Sequence, residues 1–393
     1  MLRSSLAVLL CAMLAACASA PPGSPTALQP GAVLRDASFA PSSQPVGAEG
    51  LFELSGEMRA FAQAQIVPRA RRDGPQRALV DALYERGSLK LEYEGAYTRT
   101  ASEAFAAKAG NCLSLVVMTA AFARELGVPV VFRSVLVDEV WSRQGDLSFG
   151  SQHVNVTLGP PVAASNVSLY ALTVDFVPAA QLGGVRTRDL SEATVVGMYL
   201  NNRAAESLAA GRIDDAYWWA REAVLQAPQY GAAWNTLAVV YLRHGDLEPA
   251  AQVLESLLAR APDDIKALAN LVGVRERQGR VADAQALRER LARIEPVRPF
   301  HHYDIGLAAL RSGDPKAARD AFERELRRDA DYHEFHHWLA ISNLMLGDTK
   351  EARRHMELAL RNSTTRRDQQ LYGAKLDRLM ARRPGGGTLR RDG

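Results

Sequence analysis

From Val196 onward the chain repeats itself every 34 residues, and no other feature constrains its fold as strongly. Gly211, Gly245, Gly279, Gly313 and Gly347 recur at that interval, as do Ala216, Ala250, Ala284, Ala318 and Ala352, and Pro228, Pro262 and Pro296 keep it too. A unit of this length holds two helices joined by a tight turn. Glycine suits the turn because it enters left-handed backbone without strain, alanine lets the paired helices approach closely, and proline ends the second helix. Each unit covers its apolar side only against its neighbours, so the units stack into a right-handed superhelix with a concave groove. Trp234, Leu237, Tyr241, Gly245, Ala250, Leu254 and Pro262 form the fullest single copy. Five copies span 197–366, and 367–393 should form a solvating helix followed by a disordered basic tail.

This pattern resembles the tetratricopeptide repeat, which implies an all-α superhelix and a protein or peptide partner in its groove. Arg243, Arg277 and Arg311 also lie 34 apart, near the ends of successive first helices. They are candidate groove residues for carboxylates of a peptide or cell-wall fragment. The plainer reading is that cations at helix C-termini complement the helix dipole. His333-Glu334-Phe335-His336-His337 matches the H-E-x-x-H pattern of zinc peptidases. The repeat phase argues against it, because His336 falls where Trp234 sits in the second copy, facing inward, and no third ligand follows at a familiar spacing. No metal and no cofactor are expected.

The start of the chain points to export. Met1-Leu2-Arg3 carries one positive charge, and Ser4 to Ala16 is mostly apolar but too short to span a bilayer in a mature protein. Leu14-Ala15-Ala16-Cys17 resembles the lipobox of bacterial lipoproteins, which implies that residues 1–17 are a signal segment and that Cys17 is lipidated. A conventional secretory cleavage near Ala18-Ser19-Ala20 is the alternative. Ala18 after the cysteine implies sorting to the outer membrane, facing the periplasm. A net charge of +3 on 393 residues is too small to suggest nucleic-acid binding. Residues 18–50, rich in Pro, Ser, Ala and Gly, are expected to be a flexible tether.

The region 51–192 changes pattern from helical to β-branched. Residues 51–65, 75–86 and 99–105 look helical. Gly110-Asn111-Cys112-Leu113-Ser114 then opens a strongly apolar helix, with Leu113, Val116, Val117, Ala120 and Ala123 at helical spacing and Gly127 after its end. Cys112 thus lies in the first turn, where unpaired N–H groups and the positive end of the dipole favour a thiolate. Cys11 leaves with the signal and Cys17 carries lipid, so Cys112 is a lone thiol in an oxidising compartment. Residues 130–137, 152–158 and 169–176 read as strands, with a polar loop from Asp138 to Ser151 between the first two. Alternation puts His153, Asn155 and Thr157 on one face, and Thr173 and Asp175 together on another strand. Antiparallel pairing would bring His153 and Asp175 to the same side.

Gly110-Asn111-Cys112, Arg124-Glu125-Leu126-Gly127-Val128-Pro129, Gln152-His153-Val154-Asn155-Val156 and Thr173-Val174-Asp175 together resemble the transglutaminase-like superfamily, related to papain-like cysteine proteases. The resemblance covers roughly 90–180. It departs from the family where Val154-Asn155 replaces an aromatic pair, and where Phe176-Val177-Pro178 follows Asp175. The resemblance implies Cys112 as nucleophile, His153 as general base and acid, and Asp175 as the group that orients the imidazole. It also implies the Cys112 backbone N–H as one oxyanion donor. Tyr97, Asn111 and Trp141 are candidates for the second donor. The expected architecture is an α+β papain-like, transglutaminase-like domain followed by an all-α tetratricopeptide superhelix. The expected function is envelope-anchored hydrolysis of peptide or amide bonds, with the array recruiting a partner or substrate. The alternatives are a non-catalytic assembly scaffold and acyl transfer to an amine.

Overall fold

The computed structural model describes residues 30–85, 89, 91–95, 97–144, 147–159, 171–176, 186–294, 300–363 and 366–381. The signal segment, Cys17 and the basic tail lie outside these residues. Helices α1 (Gly56–Phe61), α2 (Val67–Asp73), α3 (Pro75–Val80) and α4 (Ala101–Ala107) lead to the long apolar α5 (Cys112–Glu125). From Leu113 to Ala123 every residue of α5 is buried, so this helix is the spine of the first unit. Thr100 and Glu103 form a reciprocal cap at the start of α4.

A two-residue strand, β1 (Glu92–Tyr93), pairs in parallel with β2 (Ala109–Gly110), with Tyr93 opposite Gly110. The main sheet is antiparallel, in the order β5 (Leu172–Val174), β4 (Leu147–Leu158), β3 (Val130–Gln144), β6 (Arg186–Leu190). The stretch expected as a polar loop, Asp138 to Ser151, instead extends both central strands, with Val140 opposite Ser151 and Gln144 opposite Leu147. Backbone pairing carries the ladder through these polar side chains, after a register shift between Val135 and Val140. Val154, Val156 and Leu158 join the buried core with Phe132, which leaves His153, Asn155 and Thr157 to the opposite phase of β4.

Five antiparallel helix pairs follow: α6 (Glu192–Ala209) with α7 (Ile213–Gln226), α8 (Gly231–His244) with α9 (Leu247–Arg260), and α10 (Ile265–Arg277) with α11 (Val281–Ile294). The last two pairs are α12 (His301–Arg311) with α13 (Pro315–Leu326), and α14 (His333–Met345) with α15 (Thr349–Asn362); α16 (Arg366–Ala381) closes the end. The five periodic glycines sit at the turn inside each pair, all with positive φ between 73 and 103°, which is the physical reason for their spacing. Trp234 and Tyr241 are fully buried. The five pairs begin at Glu192, a few residues before the first expected copy.

Residues 30–50 do not behave as the expected tether. They pack along α7 and α8. The Phe39 ring stacks on Tyr217 at 3.9 Å. Tyr241 donates to the Val33 carbonyl at 2.7 Å, and Tyr217 donates to Asp36 at 2.6 Å. Ser43 donates to Asp215 through both its N–H and its hydroxyl, each at 2.7 Å. The composition of this stretch reads as linker, but one buried aromatic and these polar contacts suffice to order it. One continuous core runs from Val33 through the first unit to Val274 in α10, so the first unit and the start of the array form one packed body.

Candidate active site

Asn111 starts α5 as its N-cap, its side-chain oxygen accepting from the Ser114 N–H at 2.9 Å. Cys112 is therefore the first residue of the helix, and it is partly exposed. His153 is 7% exposed. Its Nε2 lies 2.5 Å from Asp175 Oδ1, while Asn155 Nδ2 donates to the other carboxylate oxygen at 3.0 Å. The β4–β5 register explains both contacts: Val156 pairs with Val174, which sets Asp175 beside Asn155 and diagonal to His153. The Cys112 thiol lies near enough to the imidazole to help raise its pKa. With Nε2 taken by Asp175, Nδ1 is the ring nitrogen left for sulfur.

The structure thus brings Cys112, His153 and Asp175 together. Burial works against a charged imidazole, but the bond to Asp175 and the nearby Cys112 outweigh it and raise the His153 pKa to about 9. An imidazolium between a carboxylate and a thiol is an arrangement that favours thiolate and holds a proton ready for a leaving group.

Tyr93 is a member of this site that the sequence did not disclose. Its hydroxyl lies close to Cys112, whose backbone N–H is the group expected to hold an oxyanion. Although 39% of the residue is exposed, the hydroxyl end is enclosed. Burial first, and the neighbouring Cys112 second, push its pKa above the ordinary phenol range. Only the pairing of β1 with β2 puts Tyr93 there, and a two-residue strand has no sequence signature. Of the residues expected as second donor, Asn111 uses its Nδ2 on Thr98 at 2.8 Å. Tyr97 is 58% exposed, and the Trp141 side chain lies outside what the structure describes.

The repeat arginines divide differently. Arg277 donates to the Leu242 carbonyl at the end of the preceding first helix, which is the dipole-complementing role. Arg243 and Arg311 are exposed at the corresponding ends. In the H-E-x-x-H stretch the histidines point to different partners. His333 Nδ1 meets the Tyr372 hydroxyl at 2.8 Å, His336 bridges His355 and the Ala330 carbonyl, and His337 Nε2 meets Lys375 at 3.0 Å. Among the described residues no group of three or more His, Cys, Asp or Glu side chains gathers as a metal site. A cavity of about 520 Å³ lies away from Cys112, between β6 and the starts of α8 and α10, lined by Arg188, Ser191, Tyr230, Asn235 and Lys266 among others.

Residues 207–273 and 303–366 each match a tetratricopeptide repeat family model. These segments are tetratricopeptide repeats. The chain is similar to the protein CTR9 homolog of Arabidopsis thaliana, with 29% identity over 127 residues, which is 32% of this chain and 12% of that protein. The chain therefore spans about an eighth of that relative's length. Among solved structures it is similar to a thermophilic tetratricopeptide protein of Thermus thermophilus, with 24% identity over 46% of this chain and 98% of that chain and a TM-score of 0.29. It is also similar to pilF of Pseudomonas aeruginosa, with 20% identity over 48% of this chain and 85% of that chain and a TM-score of 0.28.

Proposed function

We propose that this protein is a partner-binding scaffold whose array presents a client to a cysteine-centred hydrolase of peptide or amide bonds. The binding half of the reading rests on the repeats, since stacked tetratricopeptide units generally offer their extended surface to protein partners. The chemical half rests on one observation: the His153 imidazole bonds the Asp175 carboxylate, with the Cys112 thiol close enough to help raise its pKa. The first unit, read as papain-like, supplies the helix N-terminus and the strand that such chemistry uses.

In this reading the Cys112 thiolate attacks the carbonyl carbon, forming a C–S bond while the carbonyl π electrons move to oxygen. The Cys112 N–H receives that oxygen. Collapse breaks the C–N bond, and the His153 imidazolium gives its proton to the departing amine. Water then attacks the thioester, passing a proton to His153, and releases the carboxylic acid and the thiolate. Asp175 and Asn155 keep the imidazole in line throughout.

Iodoacetamide on the folded protein at neutral pH tests the chemistry. Cys112 should alkylate faster than a free thiol, and His153→Ala should remove the advantage. Reaction only after denaturation would leave the scaffold reading standing without the hydrolase. Incorporation of dansylcadaverine into a glutamine-containing acyl donor, with release of ammonia, would instead point to amine transfer. Among the described residues no helix is long and apolar enough to cross a membrane. We assign membrane attachment to lipid on Cys17 in a bacterial envelope, facing the periplasm. Metabolic palmitate labelling that survives Cys17→Ala would refute it.

A further inference from the structure

The cap that starts the nucleophile helix is held by the repeat array. Asn111 accepts from both the N–H and the hydroxyl of Ser114, at 2.9 and 2.8 Å, and its own Nδ2 donates to Thr98 Oγ1 at 2.8 Å. Thr98 is 1% exposed. Its hydroxyl oxygen also accepts from Asn202 Nδ2 at 3.1 Å, and its N–H donates to Glu206 Oε1 at 2.7 Å. The Thr98 hydroxyl oxygen thus fills both of its acceptor positions, with Asn111 and Asn202. Asn202 and Glu206 lie four apart on α6, one turn along the same face. Arg203 flanks Glu206 at 3.6 Å. The Arg99 N–H closes the ring on Ser114 Oγ at 2.8 Å.

We propose that Asn202 and Glu206, on the first helix of the repeat array, are positioning residues for Cys112. They act through Thr98 and Asn111. Asn111 and Cys112 share a peptide unit, so the orientation of the Asn111 side chain and backbone sets where the Cys112 N–H and thiol point. The active site thereby extends into the array, and the array is part of the machinery that aims the thiol.

Three variants test this in the full chain: Asn202→Ala, Glu206→Ala and Glu206→Gln. Two measurements apply to each, the iodoacetamide rate on Cys112 across about pH 5 to 10 and hydrogen exchange at the Ser114 amide. The alanine variants should slow alkylation at neutral pH by at least about tenfold, displace its pH profile and speed Ser114 exchange. Glu206→Gln should restore all three, because an amide oxygen still accepts from the Thr98 N–H. A merely structural role would lower the melting temperature of the alanine variants while leaving the pH profile in place, and that result would overturn the proposal. So would wild-type exchange at Ser114 in both alanine variants. The proposal rests on the hydrolase reading only for the alkylation measurement. If wild-type Cys112 proves inert, Ser114 exchange still decides whether the array holds the cap.

Discussion

Removing the carboxylate of Asp175 gives the sharpest test of how the candidate site is powered. His153 is 7% exposed, and burial by itself disfavours its charged form, yet its pKa stands at about 9 against an ordinary value of 6.5. That difference corresponds to about 3 kcal/mol in favour of imidazolium, contributed by Asp175 and Cys112 against the burial penalty. The sign follows from a raised folded-state pKa. The stabilisation is fully present below pH 6.5 and is lost as pH rises through about 9. Proton delivery to a leaving group should therefore show a descending limb near pH 9 in the wild type, whereas alkylation, which needs only the thiolate, should not. In Asp175→Ala burial gains the upper hand, and the limb should move down by at least about one unit, toward or below the ordinary histidine value. The rate of amide-substrate acylation against pH reads this, and NMR titration of labelled histidine reads the same proton without relying on reactivity. A limb that stays near pH 9 in Asp175→Ala would refute the assignment of that charge to Asp175.

Tyr93→Phe removes a phenol oxygen close to Cys112. If that oxygen competes with the substrate carbonyl for one hydrogen bond of about 1 kcal/mol, acylation by p-nitrophenyl acetate should speed up about fivefold; slower acylation would instead make the hydroxyl a donor. Phe39→Ala should cost about 3 kcal/mol, because the ring is 6% exposed and stacked on Tyr217, and should open the chain to trypsin after Arg35. Gly306→Ala would place a methyl 2.6 Å from the Phe322 ring. The helical gain of about 1 kcal/mol is then outweighed by overpacking of about 1–3 kcal/mol, a net loss read by urea unfolding. His337 and His355 are depressed to about 4. Burial does most of this, aided by Lys375 at His337 and by Arg354 at His355. Both groups stay neutral in the fold, so the last repeat should lose stability as pH falls from about 6.5 toward 4; calorimetry at pH values above and below that window should show the low-pH melt earlier, and equal melts would refute it.

The parts that sequence made legible are those governed by short periods. A 34-residue interval of glycines reports a turn with positive φ, because no other residue takes that backbone as easily, and each of the five lies at such a turn. Alternation in β4 separates His153, Asn155 and Thr157 from Val154, Val156 and Leu158, and the pairing of Thr157 with Thr173 follows the same phase. What stayed hidden depends on contacts with no local period. Asp138 to Gln144 is polar enough to read as a loop, yet it continues β3 because its backbone finds Leu147 to Ser151 across the hairpin. The 30–50 segment has linker composition, and only Tyr217 and Tyr241, some 180 to 200 residues away, give Phe39 and Val33 a place to dock.

The same distinction bears on how the two halves of the chain work together. Had the first unit and the array been separate bodies joined by a linker, the repeats could recruit a client and raise its local concentration, but could not influence the thiol itself. Instead, α6 contributes to both. It opens the array, it lies in the core that runs from Val33 to Val274, and its Asn202 and Glu206 reach Thr98 beside the cap of α5. Arg124 at the far end of α5 pairs with Glu192 at the start of α6, at 2.6 Å. Helix α5 is therefore held near both of its ends by one array helix. A shift of α6 reaches Thr98 directly, because Asn202 and Glu206 bond it from that helix. On this physical ground, binding in the array and chemistry at Cys112 should be studied as one system, with the full chain as the smallest unit that contains both.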